Sequence, residues 1–231
     1  EIDPILDYSG NNSISIDILK TYFYSRHFIQ FDKTIYKNIT MIEPGELIRI
    51  NCNNNKTTKL NSTNIHNYID EKKYSQNLKK SEDELVEELD YLFQKNISEM
   101  VPNNRNFTSI ISGGVDSSLI SAFLNKISNP KKFLTLNHIN KDYISNKVYK
   151  FEKYLNKNIY AQNISESDYK NRLTKAIKIC ASPISSHDFV GKLILAEITK
   201  KNNCKAIFGG DGADELFGGY QTYNQKINNV K

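Results

Sequence analysis

A short apolar run, Phe107 to Ile111, breaks into Ser112-Gly113-Gly114 and then into the helical pattern Asp116-Ser117-Ser118-Leu119-Ile120. The run is β-prone and brief, so it predicts a buried strand. Adjacent glycines leave backbone N–H groups uncovered, and the hydroxyls of Ser112, Ser117 and Ser118 add donors. All would point into the positive end of the following helix, where an anion is favoured. A Gly-Gly pair alone is as readily an ordinary turn. The whole run, SGGVDSS at a strand–helix junction, favours a phosphate or pyrophosphate. Asp116 is the odd member, because a carboxylate beside phosphates makes sense when a cation such as Mg2+ bridges them.

Around this turn, strand-like and helix-like segments alternate. Asp116–Ile127, Ser145–Leu155, Glu166–Cys180 and His187–Asn202 read as helices, and Lys132–Ile139, Asn158–Ile164 and Lys205–Phe208 as strands. Such alternation implies an α/β fold, a parallel sheet with helices on both faces, with ligands at the carboxyl ends of its strands. Upstream, Ser81-Glu82-Asp83-Glu84 is a capping box that opens a helix with Leu85, Val86, Leu89, Leu92, Phe93, Ile97 and Met100 on one face.

Residues 1–80 differ in character. Ser15–Tyr24 has helical spacing, Pro44-Gly45 is a turn, Glu46–Asn51 alternates as a strand, and Asn53–Thr58 is a polar hairpin tip or loop. No His, Cys or carboxylate cluster occurs there, so the segment reads as a docking or connecting layer. The expected division falls at residue 80, with 1–80 a linker ahead of a larger domain over 81–231.

Composition narrows the partners. The net charge is +5, but the lysines are scattered and alternate with acids along the helices, which describes a solvated surface rather than a nucleic-acid track. No apolar run is long enough to cross a bilayer, and the N-terminus is acidic, unlike a signal peptide. The three cysteines lack C-x-x-C spacing, which argues against disulfides or zinc and for a reducing, cytoplasmic setting.

A second turn, GGDGADELFGGY from Gly209 to Tyr220, surrounds the carboxylates of Asp211, Asp214 and Glu215 with glycines. That many acids in one tight turn call for a cation or a cationic substrate. Asp214 has two readings: it could cap the helix it begins, or join Asp116 in a two-carboxylate Mg2+ site over a pyrophosphate.

The two motifs together carry a family resemblance. SGGVDSS is similar to the pyrophosphate-binding loop of the ATP pyrophosphatases, and GGDGADELFGGY, placed on the next-but-one parallel strand, resembles the second signature of asparagine synthetase and its relatives. Residues 15–52, with Lys37-Asn38-Ile39 leading to Glu43-Pro44-Gly45, resemble the end of that family's N-terminal half. The resemblance implies that 1–80 is a linker or remnant of a small N-terminal α+β, amidotransferase-type domain and 81–231 the synthetase domain. The resemblance implies an adenine nucleotide alpha hydrolase-like fold. It also implies ATP-dependent adenylation of a carboxylate such as aspartate, followed by displacement of AMP by ammonia. Carried over by position, Ser112, Gly113, Gly114, Ser117 and Ser118 would hold the pyrophosphate, and Asp116 and Asp214 the Mg2+. Ile111 and Thr135 would meet the adenosine through backbone groups, Gly209 and Gly210 would lie beside the AMP, and Asp211 near the acyl centre. The partners implied are small molecules, a glutaminase domain or partner chain, and a second copy in a homodimer.

There are also departures from the family pattern. The chain begins with Glu1 rather than the nucleophilic cysteine of the glutamine-hydrolysing half. Ala181-Ser182-Pro183 replaces the acids that many members carry before a proline ahead of the last helix, at the place where the amino acid is recognised. Family members continue past the second signature to a lysine that contacts the activated intermediate, whereas this sequence stops at Lys231. That predicts a C-terminally incomplete domain or a short member working with a partner chain. The alternatives to an asparagine synthetase are a relative that closes a β-lactam or peptide lactam, and a non-catalytic nucleotide-binding subunit.

Overall fold

The computed structural model of the chain describes residues 2–26, 32–63, 65–138, 146–184, 186 and 188–220. Its packing divides the chain into two units, 1–85 with 174–187 and 86–173 with 188–231.

The first unit opens with helices α1 (Asp3–Ser9) and α2 (Ile16–Ser25). Ser15 caps α2, accepting from the Ile18 N–H, and Tyr22 is its buried residue. The buried Thr34 hydroxyl donates to the Ile39 carbonyl at 2.7 Å and ties together the segment around Lys37-Asn38-Ile39. Strands β1 (Glu46–Asn51) and β2 (Lys56–Ser62) form an antiparallel hairpin. The hairpin tip expected over Asn53–Thr58 is present but tighter, because Lys56–Thr58 belongs to strand β2. Asparagines explain this: Asn51 Oδ1 accepts from the Asn53 N–H and Asn54 Oδ1 from the Lys56 N–H, while Asn55 adopts φ 54°. Such side chains close a turn within a few residues. Helix α3 (Glu71–Asn77) follows, capped by Asp70.

Helix α4 (Glu82–Met100) starts at the expected capping box. The Glu84 N–H donates to Ser81 Oγ, and the Ser81 N–H donates to Glu84 Oε2 at 2.8 Å. The Ser81 N–H, joined by the Ser81 hydroxyl donating to the same oxygen at 3.0 Å, holds the Glu84 carboxyl below its ordinary pKa. Its apolar stripe is only partly used. Ile97 is buried and Phe93 packs beside it, but Val86, Leu89, Leu92 and Met100 are exposed. Only the last two turns of α4 meet the second unit's core.

The second unit runs through β3 (Phe107–Ile110), α5 (Val115–Ile127), β4 (Lys132–His138), α6 (Asn146–Leu155), β5 (Ile159–Ile164), the first half of α7 (Glu166–Cys180), α8 (Asp188–Lys201), β6 (Ala206–Phe208) and α9 (Ala213–Phe217). The segments anticipated from the sequence are all present. Ile139, Ser145 and His187, three of their expected ends, lie outside the described residues. The strands form a sheet in the order β5-β4-β3-β6, and every pairing in it is parallel. The second turn therefore follows the strand immediately beside β3, not the next-but-one.

Two buried hydroxyl pairs show which helices cover which face. Thr108 Oγ1 meets Thr199 Oγ1 of α8 at 3.0 Å, and Ser109 Oγ meets Ser121 Oγ of α5 at 2.8 Å. Adjacent strand residues point to opposite faces, so α8 covers one side of β3 and α5 the other. Phe107, Phe123, Leu124 and Ile97 form one cluster on the α5 side; Ile111, Phe133, Val148, Leu155 and Ile159 form another. Each such side chain contributes about 1.5–3 kcal/mol of burial. The fold is α/β with helices on both faces, as the alternation implied.

Candidate functional site

From β3 the chain moves outward to β4 and β5, then returns to place β6 on the far side of β3. The direction of travel reverses between β3 and β6, which makes the carboxyl ends of those two strands the switch point where parallel sheets bind ligands. Both glycine turns leave from that place.

The first turn is shaped by its own hydroxyls. Ser117 Oγ accepts from the Ser112 N–H at 3.1 Å and lies 2.9 Å from Ser112 Oγ. Ser118 Oγ donates to the Gly114 carbonyl at 2.7 Å. Gly113 takes φ 82°, a conformation open to glycine at little cost. Gly114 is the N-cap of α5 and provides no side-chain cap, so the helix starts with N–H donors that no capping side chain satisfies.

The second turn lies directly against the first. A Cβ on Gly210 would sit 2.7 Å from Ser117 N and 2.8 Å from Asp116 Cβ. Only a residue without a side chain allows that approach. Asp214 occupies the first turn of α9, but the N-cap position belongs to Gly212, whose φ of 97° again needs glycine. Asp214 is thus not the cap of that helix, which removes one of its two readings. Gly219 packs against the Asp214 carboxylate, and the Tyr220 hydroxyl donates to Glu215 Oε1 at 2.7 Å. That bond holds the Glu215 carboxyl below its usual value of 4.5.

Together the turns line a cavity of about 670 Å³. Of the residues singled out in the sequence, Ser112, Asp116, Ser117, Gly209, Gly210, Asp211 and Asp214 face it. Gly113, Gly114 and Ser118 belong to the same loop without lining it. Ile111 and Thr135 are buried and are not among its lining residues, and the Ile111 N–H is already committed to the Leu134 carbonyl at 2.8 Å. Sequence reasoning missed Lys192. It projects from α8, its Nζ lies 3.5 Å from Asp211 Oδ2, and it is the only cation among the described lining residues. Its place among the apolar positions of α8 gave no signal; only the fold brings it here.

Among the described residues no three acidic, His or Cys side chains converge to hold a metal ion alone. The donors present fit Mg2+ in its usual mode, in which one or two carboxylates and the phosphates of a substrate share the ion and water fills the rest. Asp116 and Asp214 are such a pair on the wall of one cavity.

The span matched by a known family contains both turns. The sequence profile of the asparagine synthase family matches residues 88–231. The chain belongs to the asparagine synthase family. It is 26% identical over 221 residues to asparagine synthetase [glutamine-hydrolyzing] 1 of Bacillus subtilis, covering 94% of this chain and 33% of that protein. It is 28% identical over 185 residues to a putative asparagine synthetase [glutamine-hydrolyzing] 1 of Methanocaldococcus jannaschii, covering 74% and 33%. The chain therefore spans about a third of the length of these asparagine synthase relatives. Among solved structures, an NH3-dependent NAD synthetase from Campylobacter jejuni is similar at 15% identity and a TM-score of 0.39, over 59% of this chain and 62% of that one.

Proposed function

We propose that this chain carries the ATP-binding synthetase site of an asparagine synthetase-type ligase, and that the acid it activates is aspartate. A carboxylate oxygen attacks the α-phosphorus of ATP, the bond to the β-phosphate oxygen breaks, and pyrophosphate leaves. Ammonia then attacks the acyl carbon, loses a proton and expels AMP. The observation that carries this reading is the contact of Gly210 with Asp116 and Ser117, which puts both signature turns on one cavity at the switch point.

Each group has a physical task. The turn of Ser112, Gly113, Gly114, Ser117 and Ser118 holds the pyrophosphate against the uncapped start of α5, where N–H dipoles favour the charge that builds on the leaving group. Asp116 and Asp214 hold Mg2+ when ATP is bound. Held by these two carboxylates, it would supply charge neutralisation at the phosphates. Gly209 and Gly210 keep the floor beneath the AMP flat, and the Ile111 and Thr135 backbones edge the adenosine. Asp211 stands at the acyl centre with Lys192 opposite it as the counter-charge for an anionic substrate. A glutaminase domain or partner chain supplies the ammonia, and the reaction proceeds in the cytoplasm.

The test is ATP–pyrophosphate exchange with aspartate as the acid. The chain is expected to support aspartate-dependent exchange, and Asp116→Asn to lose it while keeping its folding free energy within the ~1 kcal/mol that an acid in the first helical turn contributes. ATP binding without exchange in the folded chain would sink the ligase reading and leave a nucleotide-binding subunit. Exchange driven by another carboxylate would replace aspartate.

A further inference from the structure

The opposite end of the same sheet carries a second cavity, of about 640 Å³, and its chemistry is the reverse of the first. Three of its walls are lysines: Lys131 and Lys132 at the entry to β4, and Lys157 just before β5. No carboxylate lines it among the described residues. The nearby Glu152 is turned to the backbone, where its Oε1 accepts from the Ile159 N–H at 2.8 Å. Lys132 is held with its Nζ 5.0 Å from the centre of the Tyr160 ring, and Asn129 and Asn158 add amides to the rim. The field of these lysines is also felt inward. Lys131 and Lys132 oppose the upward push that burial gives the Cys204 thiol.

Three cations around one concavity repel one another, and no acid on its wall offsets them. A multivalent anion would offset them, and the single pocket, rather than an extended track, suits a compact one. From these observations we infer that the amino-end cavity binds a small oligophosphate, the phosphate chain of a nucleotide or an inorganic polyphosphate, through Lys131, Lys132 and Lys157. The cavity is separate from the candidate ATP site, since β4 runs seven residues between the two ends of the sheet, on the order of 20 Å at ~3.3 Å per residue. The inference does not depend on the ligase reading.

Lysine acetylation footprinting of the full chain with tripolyphosphate as the probe resolves the site by residue. Protection of Lys131, Lys132 and Lys157 is expected at tripolyphosphate concentrations that saturate binding, and ATP giving the same protection would identify a nucleotide source. Lys131→Ala with Lys157→Ala should weaken that binding by about fivefold for each lysine removed. Wild-type affinity should fall steeply between about 0.05 M and about 0.2 M salt. The glycine loop also offers an anion site, so Gly113→Ala serves as the control and should leave the footprint unchanged. Unprotected lysines at saturation would overturn the inference. So would lysine-dependent binding of a short single-stranded RNA with none of tripolyphosphate.

Discussion

The two glycine turns stand side by side yet are held in shape by different forces. The first is fixed by neutral hydroxyl bonds among Ser112, Ser117, Ser118 and the Gly114 carbonyl, and it would keep its form alone. The second takes its position from the first, through the bare Cα of Gly210 against Asp116 and Ser117, and its closing bond is to a carboxylate, Glu215. A self-supporting hydroxyl-bonded turn and a dependent acidic one thus meet across a shared wall. That asymmetry says which substitutions are local and which cross from one turn to the other.

Gly210→Ala should have the largest effect. Its methyl group would meet backbone atoms under 3.0 Å away, so one turn must shift. Displacement of about 1 Å at a reacting centre costs on the order of a hundredfold in rate. The expected result is that loss in kcat/KM, with weakened MgATP binding, read by steady-state kinetics and equilibrium dialysis. If Gly210→Ala left ATP affinity intact, the turns would not share a wall. Gly113→Ala should be smaller and confined to the first turn. Left-handed φ costs a non-glycine residue about 1–2 kcal/mol, or roughly tenfold in nucleotide affinity if the loop relaxes out of shape. Calorimetric titration with ATP would measure it.

The architecture and the first turn were legible in the sequence because both are local. A strand, a glycine pair and a helix start within a dozen residues leave few alternatives, and the alternation that follows sets the layers. The second turn was legible as chemistry but not as geometry. Asp214 in isolation fitted a helix cap as well as a metal site, and only the placement of Gly212 at the cap position decided against the cap. The neighbouring of β6 and β3 depends on where the last crossover lands, which no local pattern encodes. Lys192 was invisible for the same reason. The exposed part of the α4 stripe shows the opposite failure: Val86 and Leu89 have the right periodicity, but both remain exposed.

Lys192→Ala probes the second turn from outside it. The Lys192–Asp211 pair is solvent-exposed on both sides, so it adds little to stability. Its loss should leave the melting temperature unchanged and raise KM for the acidic substrate about three- to tenfold, with kcat nearly constant. An equal loss in kcat and KM effects for ATP instead would move Lys192 from the acyl side of the cavity to the phosphate side.

The smallest expected effect separates the turns by pH. The hydroxyl bonds of the first carry no titratable group. In the second, the Tyr220 hydroxyl bond holds the folded-state pKa of Glu215 below 4.5. A depressed carboxylate pKa adds stability that is fully present above the unfolded value of 4.5, and that stability is lost as pH falls through the folded value. Acidification below about pH 4.5 should therefore loosen the Gly209–Tyr220 turn while the Ser112–Ser118 turn stays protected, as amide hydrogen exchange would report. Tyr220→Phe should raise the Glu215 pKa towards 4.5 in a carboxylate-resolved NMR titration and remove that acid sensitivity. If both turns loosened together with acid, the first would depend on the second as much as the second on the first, and the asymmetry between them would fail.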